Sequence, residues 1–417
     1  MSKRAAAVLF ACFCTVLAAY SIRYSYGTLL PEMLTSLSIT KAQAGIIYSS
    51  YFIAYTVLSP ILGLLADRYD MRLVLSGFVV LMGVGTFLMQ YSATVSQAVF
   101  FFTLAGIGCG ACWAPVMALA QRWVGDKRRG MSLAFIDAGS SLGVISAGAM
   151  VPIAVSASGW QTGWMGLGIM AMAVGILNFF LIRNSPSPGS SRQTRQQDSS
   201  ALSEIKENQD FRTTNNMRFS GTYGKILRDR RFWLIGLAYL LTGFTIIIPF
   251  TFLSTYAVDE LSFSYSSAAL LITIIGIGGT LGKITLGPVS DKLGRVKIMV
   301  LCAVLISGGC LAMAYSRGWP LMVFCFVYGI GYGACWSMYA ACASDFFSKK
   351  AAGGIIGLWT LLMGLGSIAA PIVAGWSADS SGTLMWAFII ATAGGFGSLI
   401  LLLPLLGRKE ERVPVEG

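Results

Sequence analysis

Twelve long apolar segments fill most of this 417-residue chain, and no other feature restricts its fold as strongly. About 20 apolar residues, rising about 1.5 Å per residue as a helix, cross a hydrocarbon layer about 30 Å thick. The segments are continuously apolar and lack the alternation of a membrane β-strand, so the sequence predicts an all-α membrane protein. The expected transmembrane helices are 6–30, 43–66, 73–91, 96–120, 131–155, 161–182, 232–256, 267–290, 297–315, 319–344, 353–376 and 383–406.

The amino-acid composition excludes several classes of function. Only 12% of the residues are charged, far too few for the surface of a soluble protein of this length. Histidine is absent, which excludes histidine-based catalysis and histidine metal ligands. The nine cysteines lie within apolar segments and are expected to be small buried residues. No Walker motif is present, so we do not expect ATP-driven transport. The sequence also lacks paired carboxylates at membrane depth and a cluster of metal ligands, so we expect neither an enzyme nor a cofactor or metal.

Basic residues are concentrated in alternate loops, whereas the opposite loops carry only Lys41 and Arg317. The positive-inside rule then places both termini in the cytoplasm, and a bacterial-type plasma (inner) membrane is expected. This asymmetry explains most of the net charge of +12 without nucleic acid as a partner. Outside the middle loop, the basic residues of the cytoplasmic set are Lys3, Arg4, Arg68, Arg72, Arg122, Lys127, Arg128, Arg129, Lys292, Arg295, Lys297, Lys349, Lys350, Arg408, Lys409 and Arg412.

The chain divides into two related halves. Residues 184–230 are too polar to form a packed core, and we expect a flexible cytoplasmic linker there. The linker separates six-helix bundles at 1–183 and 231–417. The sequence Gly106–Trp113, GIGCGACW, recurs as GIGYGACW at Gly329–Trp336, with seven of eight residues identical. Such a repeat indicates a duplicated transporter fold whose substrate site lies between the halves.

The loop after helix 2, Gly63–Arg72, resembles the signature loop of the major facilitator superfamily, and Gly287–Arg295 repeats it after helix 8. Asp70 stands where a second glycine is usual, whereas the second copy keeps Gly294. The resemblance implies an alternating-access carrier, and the loop charges are expected to hold a cytoplasmic gate. The alternative is that they only anchor the topology. The residues of this gating motif are Asp67, Arg68, Arg72, Asp291, Lys292 and Arg295.

Within the superfamily, the chain is most similar to the oxalate/formate antiporters and monocarboxylate porters. This resemblance rests on Gly106 and Gly108, on Arg122-Trp123 and Asp126-Lys127-Arg128, and on Lys283, eight residues before Asp291. It implies substrate-lining aromatic residues at Tyr24, Trp113, Tyr332, Trp336 and Trp359.

Two positions depart from that group. Leu362 replaces a lysine of the oxalate carrier, and Arg23 occupies a position where a neutral residue is expected. Arg23 resembles instead the arginine of organophosphate and sugar-acid carriers.

Three charged residues lie at membrane depth, where a charge costs about 2.5–3.5 kcal/mol and should face a cavity or a partner. Arg23 and Lys283 are expected to bind an anion, one from each half; the alternative is that they reach outward, or that Lys283 forms a structural ion pair. Asp137 is a candidate carrier of a coupling proton, and its alternative role is that of a fixed structural partner. Arg23 lies nearer the outer end and Lys283 nearer the inner end.

The sequence therefore predicts a secondary active transporter of small organic anions, mono- or dicarboxylates, working by proton symport or anion exchange. The alternatives are a carrier of organophosphate, inorganic anions or drugs, and a non-transporting membrane sensor, which we expect to carry a folded output domain. The expected partners are a small anionic substrate, protons as a candidate coupling ion, and the lipid bilayer. The resemblance also implies a monomer.

Overall fold

The computed structural model describes residues 3–124, 129–183, 226–347 and 351–406. Within these ranges, twelve segments are helical, long and apolar enough to cross a membrane, which confirms the all-α prediction. The helices of the first half are α1 Lys3–Leu37, α2 Lys41–Arg68, α3 Met71–Leu88, α4a Val95–Cys109, α4b Ala114–Trp123, α5a Arg129–Ala149, α5b Val151–Ser158 and α6 Trp160–Leu181.

The second half repeats this order with unbroken helices. Short 3₁₀ turns extend α3 at Met89–Tyr91 and α12 at Leu403–Leu405. Residues 184–225 of the expected linker lie outside the described residues, and α7 begins at Arg230, capped by the carboxylate of Asp229. The helices are α7 Arg230–Asp259, α8 Tyr265–Leu293, α9 Arg295–Tyr315, α10 Trp319–Phe346, α11 Ala352–Ser381 and α12 Met385–Leu402.

The fourth membrane segment is broken although its counterpart, α10, is continuous. α4a ends at Cys109, and α4b begins at Ala114, with Pro115 in its first turn. Proline has no N–H to donate to the preceding turn, and its ring clashes with the carbonyl four residues back. The break covers residues 110–113, and the proline lies in the first turn of the helix that follows. Met338 occupies the matching position in α10 and allows the helix to continue.

The two halves meet along α2 and α11, which run in opposite directions. The carboxylate of Asp379 accepts hydrogen bonds from the backbone N–H groups of Lys41 (3.0 Å) and Ala42 (2.8 Å). Farther along, a Cβ at Gly45 would collide with the backbone of Pro371, so only glycine permits this approach. These contacts lie at the start of α2, the end of the molecule away from the basic loops.

Other helices also form contacts between the halves. α5a meets α8, where the hydroxyl of Thr273 donates to the backbone carbonyl of Ile145 at 3.2 Å. α1 meets α7 and the start of α8, where Tyr265 donates to the carbonyl of Thr28 at 2.9 Å. The substrate site that the repeat predicts would lie among these helices.

The two signature loops differ in backbone geometry. Asp70 has a φ of −61°, and its carboxylate caps α3 by accepting from the N–H of Arg72 at 2.8 Å. Gly294 has a φ of +94°, a conformation that side chains disfavour. The departure from the family pattern at Asp70 therefore reflects a turn that needs no glycine.

The residues of the predicted gating motif form different contacts in the two halves. Arg295 pairs with Asp291 at 3.3 Å and with Asp345, at the end of α10, at 2.6 Å. Lys292 is exposed in the last turn of α8. In the first half, Arg72 stacks on Phe179 with 3.8 Å between guanidinium carbon and ring centre. The side chains of Asp67 and Arg68 lie outside the described residues.

Candidate functional site

Arg23 lies within α1, and its guanidinium is enclosed by aromatic rings. The side chain is only 8% exposed. Its guanidinium carbon lies 4.5 Å from the ring centre of Tyr55, 5.2 Å from Tyr20, 5.5 Å from Phe52 and 5.7 Å from Tyr51. Cation–π attraction of about 0.5–2 kcal/mol helps to hold a cation there. The arginine therefore points into the protein rather than outward to the membrane surface.

The polar contacts of Arg23 leave part of its hydrogen-bonding capacity unused. One terminal nitrogen, Nη2, donates to the sulfur of Cys109 at 3.5 Å. Nε is buried and has no hydrogen-bond partner. Among the residues that the structure describes, no carboxylate lies within ion-pair distance of this guanidinium. A buried cation with an unused donor is the arrangement expected of an anion-binding residue, because a carboxylate or phosphate can accept two parallel hydrogen bonds.

Next to Arg23, a line of aromatic residues connects the two halves. Tyr332 of α10 donates a hydrogen bond to the hydroxyl of Tyr24 at 3.1 Å. The ring of Tyr24 packs on Phe250 of α7, with 4.2 Å between centres. Trp336 meets Tyr332 edge-on at 6.2 Å. Three of the five predicted aromatic residues, Tyr24, Tyr332 and Trp336, thus form one wall beside the arginine.

The other two predicted aromatic residues have separate surroundings. Trp113 is the last residue of the break between α4a and α4b, and its ring lies 6.0 Å from Tyr20. Trp359 is only 1% exposed, and its indole N–H donates to the backbone carbonyl of Phe232 at 3.0 Å. Trp113 therefore joins the surroundings of Arg23 through Tyr20, whereas the contacts of Trp359 fasten α11 to the start of α7.

Lys283 and Asp137 form an ion pair that crosses between the halves. The ammonium of Lys283 lies 3.0 Å from both carboxylate oxygens of Asp137 and donates to the hydroxyl of Ser140 at 2.7 Å. Ser140 also donates to Asp137, at 3.0 Å. The side chains of the lysine and the aspartate are 23% and 35% exposed. In this conformation, the charges of Lys283 and Asp137 neutralise each other. The charge of Arg23 has no such partner among the described residues.

The two cations lie at different depths. A Cβ at Gly279 of α8 would lie 3.2 Å from the ring of Tyr332, so Gly279 is level with the aromatic wall. Lys283 follows four residues later, which is about 6 Å farther along the helix axis toward the basic loops. The order of depths inferred from the sequence therefore agrees with the packing of α8.

Several residues around Arg23 escaped the sequence analysis. Tyr51, Phe52 and Tyr55 of α2 were not singled out, although their spacing of three to four residues marks one helix face. Cys109 was expected only to pack. No local signal connects it with Arg23, 86 residues away in the sequence. Within the described ranges, no group of three or more potential metal ligands was found.

A family model and several curated proteins match most of this chain. The family model described as Major Facilitator Superfamily matches residues 11–282 and 236–416. A probable hexose phosphate transport protein of Chlamydia trachomatis is 23% identical over 94% of this chain and 89% of its own. The hexuronate transporter of Bacillus subtilis is 23% identical over 93% of this chain and 92% of its own. The membrane sensor protein UhpC of Escherichia coli is 25% identical over 94% and 90%, respectively.

Solved structures show the same fold. A bacterial homologue of the human lysosomal transporter Spinster, in an inward-facing and unoccupied conformation, has a TM-score of 0.71 at 14% identity. That match covers 97% of this chain and 96% of the other. The nucleoside transporter NupG has a TM-score of 0.71 at 16% identity, covering 96% and 100%. The predicted fold and superfamily are confirmed, and the finer likeness to oxalate/formate carriers stays a prediction.

Proposed function

The chain belongs to the Major Facilitator Superfamily, and from that premise we propose that it carries small organic anions across the membrane by alternating access. The anionic group binds Arg23, and the remainder of the substrate lies against Tyr24, Tyr332 and Trp336. Rocking of the two halves around this site exposes it to one side and then the other.

The observation that carries this proposal is the unused donor of Arg23. A buried guanidinium among four aromatic rings, with no acid partner in the described part of the chain, is costly unless an anion binds it. Lys283 differs because Asp137 already compensates its charge. Arg23 is therefore the primary anion-binding residue in this conformation, and Lys283 becomes free for the substrate when the halves separate it from Asp137.

The substrate class is broader than the mono- and dicarboxylates that the sequence favours. Carboxylate and phosphate both match the planar fork of arginine. Relatives named for hexose phosphate and hexuronate transport support an anionic sugar derivative, whose ring would pack on the aromatic wall. We therefore place hexuronates and sugar phosphates beside simple carboxylates as the candidates to test.

The side of the membrane that this conformation faces follows from the basic loops. They are proposed to lie in the cytoplasm with both termini, in a plasma (inner) membrane. The contacts of Asp379 and Gly45 lie at the opposite end, between α2 and α11. The conformation described would then be closed toward the outside, with the pair Asp137–Lys283 nearer the cytoplasm.

Coupling to protons is assigned to Asp137. Protonation would remove the charge that holds Lys283 and would let the lysine turn to the substrate. In proton symport, protonation of Asp137 would accompany each transport cycle. In anion exchange, it would not. If Asp137 carries the proton, Asp137→Asn should abolish acceleration by a proton gradient while exchange of one anion for another continues.

Uptake into proteoliposomes tests the proposal. Labelled glucuronate, glucose 6-phosphate, sulfoacetate, oxalate and lactate would be offered with and without an inward proton gradient. We expect saturable uptake of at least one anion, its loss in Arg23→Gln and partial retention in Arg23→Lys. Neutral glucose is the control for substrate charge. If wild-type protein moves none of these anions, or Arg23→Gln transports like wild type, the proposal is wrong.

A membrane sensor is the second candidate, favoured by the relative named as a sensor. From the sequence, a sensor is expected to carry a folded output domain, but the match covers 90% of that relative, which leaves about a tenth of its length outside the match. That expectation therefore does not argue against a sensor. Ligand binding at Arg23 without any turnover in proteoliposomes would favour the sensor over the carrier.

A further inference from the structure

Position 109 is the one difference between the two copies of the eight-residue repeat, where Cys109 of α4a corresponds to Tyr332 of α10. The two side chains contact successive residues of α1. Cys109 accepts a hydrogen bond from Arg23 at 3.5 Å, and Tyr332 donates one to Tyr24 at 3.1 Å. The first half therefore contacts the cation of α1 through Cys109, and the second half contacts the neighbouring phenol through Tyr332.

The backbone around Cys109 holds the thiol in place. The residue is 1% exposed at the last position of α4a, and the carbonyl of Cys109 accepts the N–H of Cys112 at 2.9 Å. One turn earlier, a Cβ at Gly106 would collide with the backbone of Tyr51, so α4a lies directly against α2. Tyr51 is itself one of the rings around Arg23. The thiol consequently faces the guanidinium from a fixed direction.

The side chains at this position differ in size between the two halves. The thiol of Cys109 is a small, weak acceptor for Nη2 of Arg23, whereas Nε has no partner. A phenol ring, as found at the corresponding position of α10, would extend into the region that the guanidinium faces. The first half therefore has a small side chain next to the cation, where the second half has the ring of Tyr332.

We propose that Cys109 is a specificity-determining residue that positions Arg23 and reserves the space for the anionic head of the substrate. The substrate then binds in one orientation, with its carboxylate or phosphate toward Cys109 and its uncharged part toward Tyr332 and Trp336. This inference rests on the proposed anion transport. It adds that the two halves bind opposite ends of the substrate.

Three substitutions of Cys109 distinguish its hydrogen bond to Arg23 from the effect of its small size. Cys109→Ala removes the acceptor without adding bulk, and we expect the KM for uptake to rise about tenfold with an unchanged maximal rate, at the lower end of the effect of a hydrogen bond to a charged group. Cys109→Ser restores an acceptor and should stay within about threefold of wild type. Cys109→Tyr fills the space and should abolish saturable uptake.

The matched control is Cys12→Ala, since Cys12 is also buried and its thiol is oriented toward the backbone carbonyl of Val116 at 3.9 Å instead of toward Arg23. All variants would be reconstituted as full-length protein, and uptake and equilibrium binding of labelled glucuronate and glucose 6-phosphate would be measured. The proposal predicts a raised KM in Cys109→Ala, rescue in Cys109→Ser and no change in Cys12→Ala. It is overturned if Cys109→Ala matches wild type or if Cys12→Ala has an equal effect. Failure of wild-type protein to bind either anion would instead overturn the proposed function, and this inference with it.

Discussion

The two copies of the repeated octapeptide share seven of eight residues, yet one is interrupted and the other is helical throughout. The difference arises two residues after the repeat, where Pro115 stands in the first half and Met338 in the second. Local sequence identity therefore does not guarantee the same backbone when the following turn differs. Evolution from a duplicated unit has given the first half a break at the point where α4a meets Arg23.

The functional residues are also unequal between the halves. The first half supplies the buried cation, the four rings around it and the thiol. The second half supplies Tyr332, Trp336 and a lysine whose charge is compensated by Asp137. The pseudo-symmetric scaffold thus carries an asymmetric site, which suits a substrate with a charged and an uncharged end.

The largest expected effect comes from exchanging the residues that set the helix break. Met338→Pro should destabilise the protein by about 3 kcal/mol or more, because proline inside α10 removes a hydrogen bond and clashes with the preceding turn. Pro115→Ala should have a much smaller effect, since α4b begins there and its first N–H groups need no helical partner. Thermal unfolding in detergent would measure both. Equal losses would show that the break does not depend on the proline.

The signature loops allow a second, smaller exchange. Gly294→Ala should cost about 1–3 kcal/mol because its φ of +94° is disfavoured for any side chain. Asp70→Gly removes the α3 cap but should cost only a few tenths of a kcal/mol. The same unfolding measurement applies. A larger loss in Asp70→Gly would mean that the carboxylate has a role beyond capping.

Weakening the contact between the halves is expected to cost less than Met338→Pro. Asp379→Asn turns one of the two accepting oxygens into an NH2 group, so one hydrogen bond from α11 to the start of α2 is lost. A loss of about 1 kcal/mol would raise the population of molecules whose halves are separated at this end about fivefold. Spin labels at Ser36→Cys and Ser380→Cys would report the separation by distance measurement.

Glu260→Gln is the matched control for that contact. Glu260 accepts from the N–H of Leu384 at 2.6 Å, so it caps a helix within the second half and does not bridge the halves. It should leave the distance distribution unchanged. An equal shift in both variants would show that the distance change reflects general loosening.

The apolar segments and the repeat were enough to predict the helices, because membrane depth fixes their length and composition. Arg23 and Lys283 were found because charge is rare at that depth. The sequence could not predict that Lys283 pairs with Asp137. The two residues are 146 positions apart, and nothing in the sequence shows which residues of α5a and α8 face each other. The family resemblance grouped Trp359 with the substrate-lining aromatic residues. Its indole instead contacts the backbone of Phe232, and the sequence does not show which face of α11 meets α7.

The central claim is that Arg23, rather than the paired lysine, holds the anion. The most direct test is equilibrium binding of labelled glucuronate and glucose 6-phosphate to purified full-length wild type, Arg23→Gln and the double variant Asp137→Asn/Lys283→Gln. The double variant removes both charges of the ion pair and so leaves the net charge of the site unchanged. We predict that Arg23→Gln loses at least about a hundredfold in affinity, as expected for two hydrogen bonds to a charged group, whereas the double variant stays within about tenfold of wild type. Equal losses in the two variants, or retained binding in Arg23→Gln, would contradict the account.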